Sequence, residues 1–176
     1  MRTPVLETER LLLRPLTVED AYSAYENWTS DADVARFMRW ERHKEIAETR
    51  AWLKSEELLV DGDAVYNWGM VEKESGRLIG SVGIVWNEEE GMYELGYNVM
   101  KACWGKGYAT EAARRVVQFG MEELKQKCFF CCHAKENPAS GRVLEKLGFR
   151  YRNDGVYYSR DRKKCFEAKE YLLIVE

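Results

Sequence analysis

The chain has 176 residues, of which 45% are hydrophobic and 32% are charged, and its formal net charge is −3 at neutral pH. This composition suits a globular domain with a sizeable core, and the acidic balance supplies no overall positive field that would recruit nucleic acid. Apolar runs are much shorter than the roughly 18 to 20 residues that cross a bilayer, and three consecutive leucines near the N-terminus are too few for a signal peptide. We therefore expect a cytoplasmic protein that binds neither nucleic acid nor a membrane.

The five cysteines show no evenly spaced framework, which favours free thiols in a reducing compartment. Three of them lie beside a histidine in CFFCCH, residues 128–133. If this run is a strand, Cys131 and Cys132 point to opposite faces, and Cys128 stands about 13 Å from Cys132 at roughly 3.3 Å per residue. That distance is too long for one ion, so we predict no metal site and interpret the thiols as part of a core strand.

The first third of the chain predicts a strand followed by helices. Residues 10–14 are mostly apolar and precede Pro15, as expected for a strand. Thr17 is a plausible N-cap for a helix with two acidic residues in its first turn. Residues 31–38 predict a short helix, and residues 43–60 have the apolar spacing of a long amphipathic helix.

The remaining two thirds alternate between strand and helix patterns. Strands are predicted at residues 64–72, 78–86, 92–100, 128–134, 149–159 and 167–175, and helices at residues 109–125 and 139–147. This order predicts the α+β fold class, with a single domain over residues 1–176. Its central sheet should be mixed but mostly antiparallel, with six to seven strands flanked by helices, and parallel only between strands 92–100 and 128–134.

The segment WGKGYAT, residues 104–110, places two glycines directly before a predicted helix. It lacks the spacing of a Walker A loop, and Thr110 stands where a dinucleotide fingerprint needs its third small residue. The remaining possibility is a loop whose backbone N–H groups bind a pyrophosphate at the helix N-terminus. Gly105 and Gly107 would allow close approach, Thr110 could add a hydroxyl, and Lys106 either adds charge or is solvated.

Three segments in a fixed order resemble one known family. They are TERLLLRPLTVEDA (residues 8–21), YELGYNV with WGKGYATEA (residues 93–112) and ENPASGRVLEKLGF (residues 136–149). Together they resemble the GNAT N-acetyltransferase superfamily, and within it the RimJ/RimL-like group of ribosomal-protein alanine and serine N-acetyltransferases. The family's loop commonly has Gln or Arg where this chain has Ala102, although this group often lacks that residue and has an aromatic residue at the position of Trp104.

The resemblance implies direct transfer of acetyl from acetyl-CoA to a primary amine in a ternary complex, without a metal. It also implies that strand 92–100 diverges from its neighbour and holds the pantetheine arm and thioester carbonyl. The implied cofactor-binding residues are Asn98, Val99, Met100, Trp104, Gly105, Lys106, Gly107, Tyr108, Ala109, Thr110 and Asn137.

Two side chains are candidates for the chemistry. Glu94 matches a catalytic glutamate of some family members and could deprotonate the amine, directly or through an ordered water; otherwise it is an exposed carboxylate without a role. An α-amine needs less help than a lysine, because their reference pKa values are about 7.7 to 8.0 and about 10.4. Ser140 lies in the NPAS segment, where the group's serine is proposed to protonate the leaving thiolate, but it could also be the N-cap of a helix over residues 140–147.

The acceptor is not assigned by any motif, and both a small-molecule amine and a protein N-terminus fit. Asp31, Asp33 and the acidic turn at residues 87–90 could attract a cationic amine. Seven apolar side chains could line a pocket or belong to the core: Trp28, Phe37, Met38, Trp40, Tyr66, Trp68 and Trp86. We predict an enzyme that acts as a monomer or homodimer; the alternative is a CoA-binding regulatory or interaction module without turnover.

Overall fold

An eight-stranded sheet organises the protein, whose computed structural model describes residues 1–175. The strands are β1 (Leu6–Glu7), β2 (Leu11–Arg14), β3 (Val65–Glu72), β4 (Leu78–Asn87), β5 (Met92–Val99), β6 (Cys128–Ala134), β7 (Arg150–Tyr158) and β8 (Cys165–Ile174). They lie in the order β1-β2-β3-β4-β5-β6-β8-β7, and every neighbouring pair is antiparallel except β5 and β6. The α+β class and the single parallel pairing are confirmed, but the sheet has one strand more than predicted, because the two residues of β1 are too few to show a period.

The helices lie where the 3.6-residue pattern places them, with shifted ends. They are α1 (Ala21–Ala24), α2 (Ala32–Ala35), α3 (Ile46–Leu59), α4 (Tyr108–Glu122) and α5 (Pro138–Lys146), with single turns at Val18–Asp20, Tyr25–Thr29 and Lys101–Cys103. Thr17 is the N-cap of the turn at Val18–Asp20, and the Thr17 backbone N–H donates a hydrogen bond to the Asp20 carboxylate at 2.9 Å. No helix within residues 1–175 is long and apolar enough to span a membrane.

The start of α5 corrects one of our interpretations. Asn137 is its N-cap and Pro138 its first residue, a position where proline's missing N–H costs nothing. Ser140 therefore lies inside the first turn, and the suggestion that it caps a helix over residues 140–147 is wrong. Its side chain is consequently available for contacts outside the helix.

Strands β5 and β6 pair over a very short length. Only Tyr93 with Phe129 and Glu94 with Phe130 are in register, whereas β5 stays paired with β4 along its whole length, up to Val99 opposite Gly80. Beyond Glu94, β5 therefore has no strand partner on its β6 side among residues 1–175. The sheet opens there into a wedge, and α4 begins shortly after the end of β5.

The two faces of the sheet have different roles. On the α4 face, Phe119 packs edge-on against Tyr66 and Trp68, with ring centroids 5.4 and 5.3 Å apart. These three rings are almost completely buried and form the centre of the core. The opposite face carries α3 and is incompletely filled, which leaves room for a site.

Candidate functional site

A cleft of about 600 Å³ lies on the α3 face of the sheet and extends into the wedge between β5 and β6. This volume is typical of small-molecule sites. Five of the seven apolar candidates line it: Trp28, Phe37, Met38, Trp40 and Trp86. Tyr66 and Trp68 do not, because their side chains point to the opposite face of β3, against Phe119.

Several lining residues carry no sequence signal of their own. Trp52 and Glu56 lie one turn apart on α3, and Asn67 faces them from β3. Arg39 and His43 come from the irregular segment between α2 and α3. The i, i+4 spacing of Trp52 and Glu56 was the one available clue, since it puts an aromatic ring and a carboxylate on the same helix face.

The acidic residues suggested as acceptor contacts lie elsewhere. Asp31 is the N-cap of α2, where its Oδ1 accepts a hydrogen bond from the Asp33 N–H at 2.8 Å. Asp33 forms an ion pair with Lys101, and Glu90 forms one with Arg152 at 2.7 Å. Their charges are satisfied locally, and none of the three lines the cleft.

Glu94 lies on β5 at the last residue pair before the wedge, with a side chain that is 21% exposed. Its Oε1 accepts a hydrogen bond from Arg39 Nη2 at 2.9 Å, and its Oε2 accepts one from Asn87 Nδ2 at 2.9 Å. The Cys132 thiol lies 3.9 Å from Oε1. The carboxylate is thus fixed in orientation while it still faces the cleft.

Ser140 contacts a residue that the sequence did not indicate. Its Oγ lies 2.7 Å from the hydroxyl of Tyr97, which reaches across the wedge from β5. Burial raises the pKa of the Tyr97 hydroxyl far above its ordinary value, so the phenol stays protonated. The two hydroxyls form a neutral pair that can pass a hydrogen bond on into the cleft.

The backbone groups at the end of β5 divide between the two sides of the strand. The Met100 N–H donates to the Ile79 carbonyl at 2.7 Å, so this amide is already used. Because successive N–H groups of a strand alternate in direction, the Val99 N–H points toward the wedge. The Trp104 indole N–H donates to the Val99 carbonyl at 2.7 Å and fixes this peptide.

Asn98 has one polar atom without a partner. Its Nδ2 donates to Ser81 Oγ at 2.9 Å, but its buried Oδ1 has no hydrogen-bond partner within residues 1–175. A buried acceptor left in this state is costly unless a ligand or water supplies a donor. Asn98 lines the cleft, so a bound molecule could supply that donor.

The glycine loop has its shape because two of its residues are in the left-handed region. Gly105 has a φ of +74° and Gly107 a φ of +81°, which residues with a Cβ rarely adopt. Gly107 is also the N-cap of α4 and offers no side-chain acceptor, so the first N–H groups of the helix, at Tyr108, Ala109 and Thr110, lack a side-chain cap. Together with the helix dipole they favour an anion.

The side chains of this loop differ in their surroundings. Lys106 is exposed, and Trp104 is 49% exposed. Tyr108 is buried beneath Arg10, whose guanidinium lies 4.2 Å from the ring centroid. Arg10 also donates to the Lys106 carbonyl at 2.9 Å and to the Glu111 carboxylate at 2.7 Å, and so ties the loop to the β1–β2 turn.

The CFFCCH cysteines occupy different environments. Both Cys131 and Cys132 line the cleft, but Cys131 is buried, with its Sγ 3.1 Å from the Leu95 carbonyl, and Cys132 is partly exposed. Burial and the nearby Glu94 carboxylate raise the pKa of the Cys132 thiol to about 12, so it stays protonated at neutral pH. Within the described residues no group of three metal-ligating side chains converges.

Comparison with known families gives a match over most of the chain. Residues 10–150 match the acetyltransferase (GNAT) domain family. An N-acetyltransferase of Bacillus licheniformis, p20, whose function is uncharacterised, is 30% identical over 146 residues, which cover 82% of this chain and 81% of p20. YoaA, an uncharacterised N-acetyltransferase of Bacillus subtilis, is 29% identical over 147 residues, covering 83% of this chain and 82% of its own.

Solved structures show the same fold. A GNAT-family acetyltransferase from Bacillus anthracis superposes with a TM-score of 0.82 at 24% identity, covering 97% of this chain and 98% of its own. RimL, a ribosomal L7/L12 α-N-protein acetyltransferase solved with coenzyme A, gives a TM-score of 0.84 at 13% identity and covers 98% of each chain. At these identities the likeness concerns the fold.

Proposed function

The chain belongs to the GNAT acetyltransferase family and is an acetyl-CoA-dependent acetyltransferase, and we propose that its acceptor is a primary amine that enters through the aromatic cleft. The observation that carries this proposal is the wedge between β5 and β6: the cleft extends into it, and the glycine loop and α4 follow directly after the end of β5. A thioester in the wedge would meet an amine from the cleft beside Glu94. We also propose that the reaction takes place in the cytoplasm, the compartment favoured by five free cysteines.

The residues around the wedge fit acetyl-CoA. The unpartnered Asn98 Oδ1 can accept from an amide N–H of the pantetheine arm, and the Val99 N–H can donate to the thioester carbonyl. The Gly105–Gly107 loop and the first N–H groups of α4 suit the pyrophosphate. Lys106 lies between the two glycines and could add positive charge beside the pyrophosphate. Asn137 lines the wedge end of the cleft, where it could contact the cofactor. Because the Met100 N–H already donates to the Ile79 carbonyl, we propose that Met100 packs against acetyl-CoA and does not bind it through its amide.

Transfer in one step is the mechanism that the site supports best. The amine nitrogen forms a bond to the acetyl carbon, the carbon–sulfur bond breaks, and the sulfur leaves with its electron pair. A relay through an acetylated cysteine is disfavoured because burial raises the pKa values of both Cys131 and Cys132, which keeps their thiols protonated.

We assign the two proton transfers to groups on opposite sides of the reacting atoms. Glu94 would take a proton from the ammonium, directly or through an ordered water, and its position is fixed by Arg39 and Asn87. On the other side, Ser140 would donate a proton to the leaving sulfur and regain one from the second proton that the nitrogen loses as it becomes an amide, so that the products are the amide, the CoA thiol and protonated Glu94. Tyr97 supports this role, because its hydroxyl can donate to Ser140 Oγ and turn the serine proton toward the wedge.

Acetyl-CoA binding and acetyl transfer test the proposal separately. We expect calorimetry to show one acetyl-CoA site, and we expect thiol release with an amine from a panel of peptides and small amines. Glu94→Gln should lower kcat about 100-fold at neutral pH and leave acetyl-CoA affinity within about twofold, because it removes a general base without touching the donor site. Glu88→Gln, at an exposed turn residue, is the matched control.

Three results would count against the proposal. Failure to bind acetyl-CoA would overturn the donor site, and binding without transfer to any amine would overturn the proposed acceptor class. An unchanged rate for Glu94→Gln between pH 6 and 9 would show that Glu94 is not the base.

A further inference from the structure

A second carboxylate faces the cleft from the side opposite to Glu94. Glu56 lies on α3 and is half-buried. Its Oε1 accepts a hydrogen bond from the Trp52 indole N–H at 3.0 Å, and its Oε2 accepts one from Asn67 Nδ2 at 2.9 Å. Both donors are neutral, and within residues 1–175 no lysine or arginine forms an ion pair with it. The remaining lone pairs of this carboxylate can accept charge-assisted hydrogen bonds from a cationic nitrogen in the cleft.

The other charged groups that line the cleft do not supply this counter-ion. Arg39 forms its ion pair with Glu94, and Arg160 is an exposed side chain on the turn between β7 and β8. His43 lies between Trp40 and Trp52, and its Nδ1 is 2.7 Å from Thr49 Oγ1. Burial lowers the pKa of His43, so its imidazole is neutral at pH 7 and does not repel a cation.

The strand register gives the distance from Glu94 to Asn67, the β3 residue that hydrogen-bonds Glu56. Asn67, which holds Glu56, lies opposite Gly83, and Gly83 lies opposite Gly96, two residues along β5 from Glu94. Two strand spacings of about 4.8 Å and two residues of about 3.3 Å place the Cα atoms of Asn67 and Glu94 roughly 12 Å apart. Both side chains point to the same face of the sheet, and the floor between them includes two glycines.

We propose that Glu56 binds a second positively charged nitrogen of the acceptor, which makes the preferred substrate a linear diamine or polyamine. This inference rests on the proposed amine acetylation: one nitrogen is acetylated near Glu94, and the other is held at Glu56, roughly 12 Å away, as the strand spacings allow. The methylene chain between them packs along Trp40 and Trp52, whose ring faces also attract alkylammonium groups.

The experiment compares two acceptors that differ only in the second charge. Rates of thiol release give kcat/KM for 1,8-diaminooctane, whose nitrogens are about 11 Å apart when extended, and for n-octylamine. We expect the wild-type protein to prefer the diamine by at least 10-fold, since the cation meets a half-buried partner. Glu56→Gln should bring the ratio to within about twofold of unity, with kcat/KM for octylamine little changed.

The controls separate a lost charge from a damaged fold. Glu88→Gln should keep the full diamine preference, and acetyl-CoA affinity of Glu56→Gln, measured by calorimetry, should equal that of the wild type. 1,3-Diaminopropane, which is too short to reach both carboxylates, should show no dependence on Glu56.

The experiment distinguishes failure of the second-cation site from failure of the proposed amine acetylation. If octylamine and the diamine are used equally by the wild type, or if Glu56→Gln keeps the preference, the second-cation site is wrong while amine acetylation stands. If neither amine nor any peptide is acetylated, the amine-acceptor function itself is wrong. Preference for a peptide N-terminus without a second positive charge would also overturn the inference.

Discussion

At the scale of single residues, the hydroxyls of Tyr97 and Ser140 form a pair to which we assign different proposed roles. Tyr97 is mostly buried, and its hydroxyl lies 2.7 Å from Ser140 Oγ and 3.2 Å from the Ser140 carbonyl. A buried phenol in this position orients its partner without losing its own proton. If Tyr97 donates to Ser140 Oγ, the serine proton is free for the proposed transfer to sulfur, and the place of Ser140 inside α5 leaves the cap to Asn137.

Replacing Ser140 tests this division. We expect Ser140→Ala to lower kcat by about 10- to 100-fold, a modest general-acid effect because a thiolate with a thiol pKa near 8.5 is a fairly good leaving group. KM for acetyl-CoA should change less than threefold, and the melting temperature should remain within about 2 °C. Steady-state kinetics and a thermal scan measure these quantities.

The control is Ser55→Ala, which removes an exposed helical hydroxyl that only bonds the Trp52 carbonyl. It should leave kcat unchanged. A Ser140→Ala protein with wild-type kcat would remove Ser140 from the chemistry, and a large loss of stability would assign it a structural role instead.

At the scale of elements, the wedge depends on how tightly β4 holds β5. Gly80 on β4 lies so close to β5 that a Cβ there would come within 2.2 Å of the Asn98 carbonyl oxygen. Gly96 on β5, in contrast, has no atom of the described chain, apart from itself and its two sequence neighbours, within 4 Å of the place where its Cβ would stand. The close approach at Gly80 keeps Asn98 and Val99 paired with β4, whereas the pairing of β5 with β6 ends at Glu94.

The two strand glycines give a matched pair of substitutions. Gly80→Ala should lower the free energy of unfolding by about 1 to 3 kcal/mol, because backbone atoms cannot yield cheaply to the added methyl group. It should also weaken acetyl-CoA binding through displacement of Asn98. Gly96→Ala should change stability by less than about 0.5 kcal/mol, since the space is open and no positive φ is required.

Urea denaturation and calorimetry measure the two effects. Equal destabilisation by both alanines would contradict the close-approach argument. Normal acetyl-CoA affinity in a destabilised Gly80→Ala protein would separate the packing of β4 on β5 from the donor site.

At the scale of the whole molecule, the sheet consists of two parts that meet over two residue pairs. Strands β1 to β5 form one part and β6 to β8 the other, joined by the pairs Tyr93–Phe129 and Glu94–Phe130 and by helices that cross the junction. A ligand bound in the wedge would contact both parts. Amides that face the wedge should therefore respond to acetyl-CoA, whereas those bonded to β4 should not.

Hydrogen exchange of two adjacent amides tests this arrangement. Without ligand, the Val99 amide should exchange much faster than the Met100 amide, which donates to the Ile79 carbonyl. Saturating acetyl-CoA should slow Val99 at least 10-fold and change Met100 much less. Residue-resolved exchange by NMR measures both rates in one sample, so Met100 is the internal control. A slow Val99 amide in the free protein, or equal slowing of both, would contradict the assignment of the Val99 N–H to the wedge.

Local patterns in the sequence determined much of this protein. Periodicities of two and 3.6 residues located seven strands and the main helices, because backbone geometry and burial act on neighbouring residues. Gly105 and Gly107 marked the loop before α4, since only glycine adopts its backbone angles freely. The family resemblance also rested on such ordered segments, and the α+β fold class could therefore be predicted correctly from the sequence.

Only the tertiary structure decided which distant side chains meet. An alternating strand has two faces, and its pattern does not say which face is core: Trp68 joins the core from β3 while the adjacent Asn67 points to the cleft. The contacts of Glu56 with Asn67 and of Tyr97 with Ser140 depend on strand register and helix placement across the sheet. The glycine loop that we propose as the donor site is thus recognisable in the sequence, whereas the cleft that we propose for the acceptor forms only when the sheet assembles, because long-range packing positions its walls.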